Sequence, residues 1–176
     1  MNKLLVSVTA ILMLAGCATT APGLTAAADL DAKSGSNVDG TVRFEEILVG
    51  GIPAVRVTVD ATGVPAGTHG FHIHQVGDCS APDASSAGDH FNPGGERHGS
   101  RGSAQRHAGD FGNVEANANG AVSSSFVING VTVGAGSSSV VGRAIVLHAQ
   151  RDDLTSQPSG NAGARIACGV IRPATM

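Results

Sequence analysis

The chain has 176 residues, enough for one domain with its own core. Charged residues make up 14% and the formal net charge is −3, which excludes the basic surface a nucleic-acid binder needs. With 25 glycines, no tryptophan or tyrosine and no stretch of 3.6-residue apolar period, the composition also argues against a helical protein.

At the N-terminus, Lys3 and the apolar run Leu4–Leu14 have the form of an export signal, too short to span a bilayer. Leu14-Ala15-Gly16-Cys17 follows and resembles the bacterial lipobox, in which cleavage precedes the cysteine and the cysteine is lipidated. Residues 1–16 are thus expected to be a lipoprotein signal peptide, 17–28 a lipidated Cys17 with a flexible tether of small uncharged residues, and 29–176 the folded domain. Cleavage removes Lys3 and no acid, leaving ten basic and fourteen acidic residues and a net charge of −4. Cys79 and Cys168 remain, and in an oxidising compartment they are expected to pair across about ninety residues.

Downstream, short alternating segments follow one another. Val38, Gly40, Val42 and Phe44 alternate with polar or small residues, as do Val55, Val57 and Val59. Thr68–Gln75 is the next predicted strand. Gly112–Asn117 and Ala121–Ile128 flank Ala118-Asn119-Gly120 and have the pattern of a hairpin. Ala144–His148 and Ile166–Val170 complete the set, which points to an antiparallel sandwich or barrel. Residues 76–110 and 150–164 do not read as strands, and loops this long in a compact domain usually carry function.

The seven histidines are His69, His72, His74, His90, His98, His107 and His148. In Phe71-His72-Ile73-His74 the alternation of a strand puts Phe71 and Ile73 on one face and both imidazoles on the other, so one strand offers two ligands to one metal ion. His98 follows His90 by eight residues, His107 comes nine later and Asp110 three after that. Three imidazoles and a carboxylate suit tetrahedral Zn²⁺, while an all-imidazole set suits copper as well.

The stretches "GTHGFHIHQVGD" (Gly67–Asp78), "GDHFNPGGERHG" (Gly88–Gly99), "RHAGDFGNV" (Arg106–Val114) and "GNAGARIACGVI" (Gly160–Ile171) resemble the copper,zinc superoxide dismutase family, in the same order and with compatible spacing over about residues 24–172. The resemblance implies an all-β fold, an eight-stranded Greek-key β-barrel (an immunoglobulin-like sandwich) with the metals held outside it between two long loops. It implies an enzyme that dismutates superoxide to dioxygen and hydrogen peroxide, with one copper and one zinc per chain. It assigns His72, His74, His90 and His148 to copper, and His90, His98, His107 and Asp110 to zinc. His90 then bridges the two metals and takes part in catalysis by carrying a proton. Asp152 matches the carboxylate that links the copper ligand His72 to the zinc ligand His98, and Arg165 matches the catalytic arginine that attracts the anionic substrate. Cys79 and Cys168 match the family's intrasubunit disulfide, and His69, left over, has a structural position. The expected partners are superoxide and a membrane reached through lipid on Cys17, with no nucleic acid, and the sequence leaves open whether the chain forms a homodimer. The expected location is periplasmic or cell-surface, where the enzyme protects the envelope from superoxide arising outside the cytoplasm.

The chain departs from the eukaryotic pattern between Leu154 and Ala164, which holds no charged residue where that pattern has lysine and glutamate to steer superoxide. Steering is then expected from Arg165, with Arg101 and Arg106 as further candidates. A copper-delivery relative often lacks part of the copper set and carries extra paired cysteines, and a copper-only dismutase lacks the zinc set. This chain has both sets and no Cys-x-Cys, and a purely structural sandwich leaves the histidine spacing unexplained.

Overall fold

The computed structural model describes residues 23–174. The expected signal peptide, Cys17 and residues 18–22 lie outside the described residues. Apart from one short helical turn at Ser85–Ala87, the regular structure of the described residues is all β: β1 Thr25–Ala32, β2 Asp39–Val49, β3 Ile52–Thr62, β4 Gly67–His74, β5 Asp110–Ala116, β6 Val122–Ile128, β7 Ala144–His148, β8 Arg165–Val170 and a two-residue β9 Arg172–Pro173. All pairings between these strands are antiparallel and follow the order β5-β4-β7-β8-β1-β2-β3-β6, with β9 on β1. Neighbours distant in sequence (β4 with β7, β8 with β1, β3 with β6) make this a Greek-key arrangement, an eight-stranded, nearly closed barrel.

Period-2 alternation determines what lies inside. Val42 and Phe44 from β2, Val55, Val57 and Val59 from β3, and Phe71 and Ile73 from β4 are all within 1% of complete burial. Burying a Val, Phe or Ile side chain of this kind contributes about 1.5–3 kcal/mol.

Two expectations are corrected. Residues 25–28, assigned to the tether, are the first four residues of β1. Ala26 and Ala28 are buried beside Leu30 on the core-facing side of β1, which pairs with β2 along most of its length. Alanines carry a weak apolar signal, so the alternation was not legible. The expected hairpin of β5 and β6 exists as a turn, with Asn117 N–H donating to Ala121 O at 2.9 Å, but not as a ladder. β5 pairs with β4 and β6 with β3, so the turn joins the two edges of the sheet. An Asn-Gly reversal between alternating segments serves either connection. Phe111 on β5 and Phe126 on β6 close the gap, their ring centroids 5.8 Å apart.

The two long connections, residues 75–109 and 149–164, fold back over β4, β5 and β7. The first is pinned by the Cys79–Cys168 disulfide, which spans 89 residues and ties it to β8 as expected.

Candidate metal centre

β4 presents His72 and His74 on the face opposite Phe71 and Ile73, as the strand period requires. That face is not solvated: both imidazoles are buried beneath the two long connections. On β7, paired with β4, Ile145 and Leu147 face the core and His148 ends the strand. His90, from the first connection, forms a β-bridge with His74. His72, His74, His90 and His148 thus converge, each offering one ligand atom within 4.8 Å of the others.

Hydrogen bonds at the far side of each ring select the nitrogen that faces this cluster. His74 Nδ1 donates to Gly88 O at 2.8 Å and His148 Nδ1 to Gly163 O at 3.2 Å, leaving their Nε2 atoms 3.4 Å apart. His72 Nε2 donates to Asp152 Oδ2 at 2.8 Å, leaving Nδ1 inward. Burial holds His74 and His148 well below the ordinary histidine value. Burial also brings His72 down to about 4 against the pull of Asp152. All three rings are therefore neutral near pH 7, the form that ligates a metal.

A second group shares His90. His90 Nδ1 lies 2.8 Å from Asp110 Oδ1, His98 Nδ1 3.0 Å and His107 Nδ1 3.2 Å. Four donors at about 2.0 Å around a tetrahedral ion stand about 3.3 Å apart, close to this spacing. The other carboxylate oxygen, Asp110 Oδ2, is fixed by the N–H groups of Gly99 at 3.0 Å and His107 at 2.9 Å. Burial alone would raise the Asp110 pKa, but the bonds from His90 and His98 hold it far below the usual carboxylate range.

Asp152 joins the groups. Fully buried, it accepts from His72 Nε2 through one oxygen and from His98 Nε2, at 2.9 Å, through the other. Burial opposes the His98 imidazolium, yet Asp110 and Asp152 together raise its pKa to about 9.

His72 Nδ1 and His90 Nε2 are buried without a hydrogen-bond partner, whereas His98 Nδ1 has the Asp110 carboxylate 3.0 Å away. An unsatisfied buried polar atom costs about 1–3 kcal/mol. Two of them, in the group formed by His72, His74, His90 and His148, fit a bound cation.

A family model described as copper/zinc superoxide dismutase matches residues 38–171. The chain is 47% identical over 143 residues to a protein of Schizosaccharomyces pombe named superoxide dismutase [Cu-Zn], covering 77% of this chain and 90% of that one. It is 42% identical over 146 residues to the protein of the same name from Onchocerca volvulus, covering 78% and 90%. The chain belongs to the copper/zinc superoxide dismutase family. The crystal structure of the clock protein EA4 shares the fold, with a TM-score of 0.76 and 36% identity over 88% of this chain and 97% of that one. The protein is accordingly a superoxide dismutase with copper and zinc as cofactors.

In this dismutase a cleft of about 480 Å³ opens onto His74, His90 and His148, with Arg165, Asp89 and Ser159 on its walls. Arg165 is half-buried, and its guanidinium donates to Ala84 O at 2.7 Å and Gly88 O at 2.8 Å. Both carbonyls belong to the connection that the disulfide ties down. Arg101 and Arg106, expected as steering candidates, do not line the cleft. Arg101 donates to Phe111 O at 2.8 Å and covers the Phe126 ring, while Arg106 donates to His107 O at 2.8 Å and Asn129 O at 2.6 Å. Their charges serve the closure of the barrel. His69 is structural as expected, bonding the carbonyl oxygens of His148 and Pro65.

Three residues of the site had no role legible in the sequence, Asn113 and Gly160 within the quoted motifs and Gln157 within the uncharged segment Leu154–Ala164. Asn113 Oδ1 accepts from Asp152 N–H at 2.8 Å and its amide donates to Asp152 O at 3.0 Å. Gln157 brackets the backbone of His98 in the same reciprocal way, at 2.9 and 3.0 Å. Gly160 has φ +70°, and an added Cβ would strike Asp152 Oδ1 and lie 2.6 Å from His98 Nε2. Glycine is thus required where the second connection covers the Asp152 bridge.

Proposed function

We propose that this dismutase is an exported lipoprotein, anchored through Cys17 after removal of residues 1–16, that disposes of superoxide at the cell envelope. The motif Leu14-Ala15-Gly16-Cys17 carries this reading. The disulfide supports it, because such bonds persist in oxidising compartments. Within the site, His72, His74, His90 and His148 hold copper, and His90, His98, His107 and Asp110 hold zinc. Copper, when bound, supplies the one-electron chemistry of 2 O₂⁻ + 2 H⁺ → O₂ + H₂O₂, and zinc, which has no redox chemistry, supplies fixed charge.

The chain's own residues do the rest. Arg165 draws the anion into the cleft and orients it beside His148 and His74. His90 Nε2 lacks a protein partner, so it is the ring atom placed to take up and deliver a proton. Asp152 and Asp110 hold the ligand rings in orientation. Homodimerisation belongs to this proposal, resting on family likeness alone.

Metal analysis with a dismutation assay tests the site: the mature protein is expected to hold about one copper and one zinc per chain, and His72→Ala is expected to be inactive. Full activity in copper-reconstituted His72→Ala would refute the ligand assignment. Cell fractionation tests the anchor, since Cys17→Ala should leave the membrane fraction while keeping its activity.

A further inference from the structure

The largest exposed apolar side chains cluster at one hairpin. Leu48 is 71% exposed, Ile52 67% and Val49 51%, and the eight residues Ile47–Ala54 contain no charge. Gly50 and Gly51, with φ of +59° and +83°, form the two-residue turn of a tight hairpin. The ladder of β1 with β2 ends at Glu45, and that of β3 with β6 ends at Val55. Beyond those points β2 and β3 pair only with each other, as a ribbon projecting from the barrel. Ile47, Val49, Ile52 and Ala54 share one face of the ribbon, where Ala54 is buried and Ile47 half-buried at its root, and Leu48 and Pro53 occupy the other, so the exposed part is the tip from Leu48 to Pro53. A ribbon that docks on a protein needs one apolar face, but this one is apolar on both sides, which suits end-on immersion.

The course of the chain says in what. β1 is antiparallel to β2, so Leu24 and Gly23, just before β1, lie toward the hairpin tip. Leu24, 56% exposed, accepts from Glu46 N–H at the root of the ribbon, and Gly23 packs on the Glu46 carbonyl. Cys17 lies six residues before Gly23, a reach of at most about 20–22 Å. The tip lies about four residues beyond Glu46, roughly 13 Å along the strand. A lipid on Cys17 therefore holds the bilayer within reach of the tip.

We propose that Leu48, Val49 and Ile52 enter the surface of the lipid bilayer, giving the lipoprotein a second membrane contact and one orientation. This rests on the reading of Cys17 as the anchor. A second apolar contact adds buried area to the attachment and stops free rotation about the tether.

The chain contains no tryptophan, so a single introduced one reports its own surroundings. Leu48→Trp places it on the tip, and Asn119→Trp places a control on the exposed β5–β6 turn at the opposite end of β3. Each protein, purified with its native lipid, is reconstituted into vesicles of brominated phosphatidylcholine. In a parallel arm, mature chain beginning at Cys17 is coupled through that thiol to a maleimide phospholipid. Leu48→Trp fluorescence should shift to the blue and lose more than half its intensity, while Asn119→Trp should keep the emission it has in buffer. Unquenched emission from Leu48→Trp on vesicle-bound protein overturns the proposal and leaves the anchor standing. Failure of the native protein to float with vesicles, with quenching in the maleimide arm, overturns the anchor and supports the tip. A concentration-dependent blue shift of Leu48→Trp without vesicles assigns the tip to a second copy of the chain, and also overturns the proposal.

Discussion

Arg165 and His74 donate to the same oxygen: Arg165 Nη2 and His74 Nδ1 each lie 2.8 Å from the carbonyl of Gly88. One backbone carbonyl thus sets both the tautomer of a metal-binding ring and the position of the cation at the cleft wall. The carbonyl is itself held in place, because residues 79–88 are drawn to β8 by the disulfide at one end and by Arg165 on Ala84 and Gly88 at the other. Substrate attraction and ligand geometry share a support.

The first prediction concerns that cation. The chain carries a net charge of −3, and Leu154–Ala164 offers no lysine, so Arg165 does most of the local work of attracting an anion. Arg165→Glu is expected to lower activity about 10-fold or more with both metals still bound. Arg165→Lys should fall less, since it keeps the charge but cannot reproduce the fork on Ala84 and Gly88. Wild-type activity should decline with ionic strength, and Arg165→Glu should show a flat or reversed slope. Equal salt slopes for all three proteins would place the attraction elsewhere on the surface.

Asp152 provides a second test. Asp152→Asn keeps the shape but offers one acceptor oxygen to two imidazole N–H groups, those of His72 and His98. Metal affinity should drop about 10–100-fold, because partners of ligating histidines carry that much. Competition with a chromophoric chelator measures it, and unchanged affinity at both sites would show that the two rings are oriented by packing alone.

The pH dependence of zinc uptake follows from His98. In metal-free protein its imidazolium persists up to about pH 9, held by Asp110 and Asp152. Zinc must displace that proton, so its apparent affinity should rise about tenfold per pH unit from about 6.5 toward 9 and then level. The depressed pKa of Asp110 keeps that carboxylate ionised throughout and adds no slope. The raised His98 value also stabilises the metal-free fold below about pH 6.5, and this contribution is lost as pH rises through about 9. Calorimetric titration in buffers of different ionisation enthalpy should register about one proton released per zinc near pH 7.5; no buffer dependence would contradict the assignment.

Removal of the disulfide tests the link between connection and barrel. Replacing Cys79 and Cys168 together with serine removes a cross-link over 89 residues. The loss should be about 2–4 kcal/mol, lowering Tm by roughly 5–15 °C. Activity should fall more than the metal content does, because Ala84 and Gly88 position Arg165. Scanning calorimetry and the dismutation assay on the same samples separate the two effects.

By itself the sequence determined the β class, the inward and outward faces of β4, and the zinc-type spacing of His90, His98, His107 and Asp110, while the place of His148 beside His72 and His74 was implied only by the family resemblance. Alternation in Phe71-His72-Ile73-His74 is a local property of an extended chain, and ligand spacing on a glycine-rich loop survives any rearrangement of distant strands. Only the tertiary structure decided the rest. It placed β5 and β6 on opposite edges, although the turn between them reads as a hairpin. It brought β1 into the barrel on buried alanines whose individual apolar signal is small. It enclosed His72, His74 and His148 under two connections, and so made them neutral and chose their inward nitrogens through Asp152, Gly88 and Gly163. It withdrew Arg101 and Arg106 from the cleft and left Arg165 there. Strand pairing, burial and hydrogen-bond partners are set by residues tens of positions apart. A local pattern can specify which side chains a strand presents, but not which distant backbone atoms they meet.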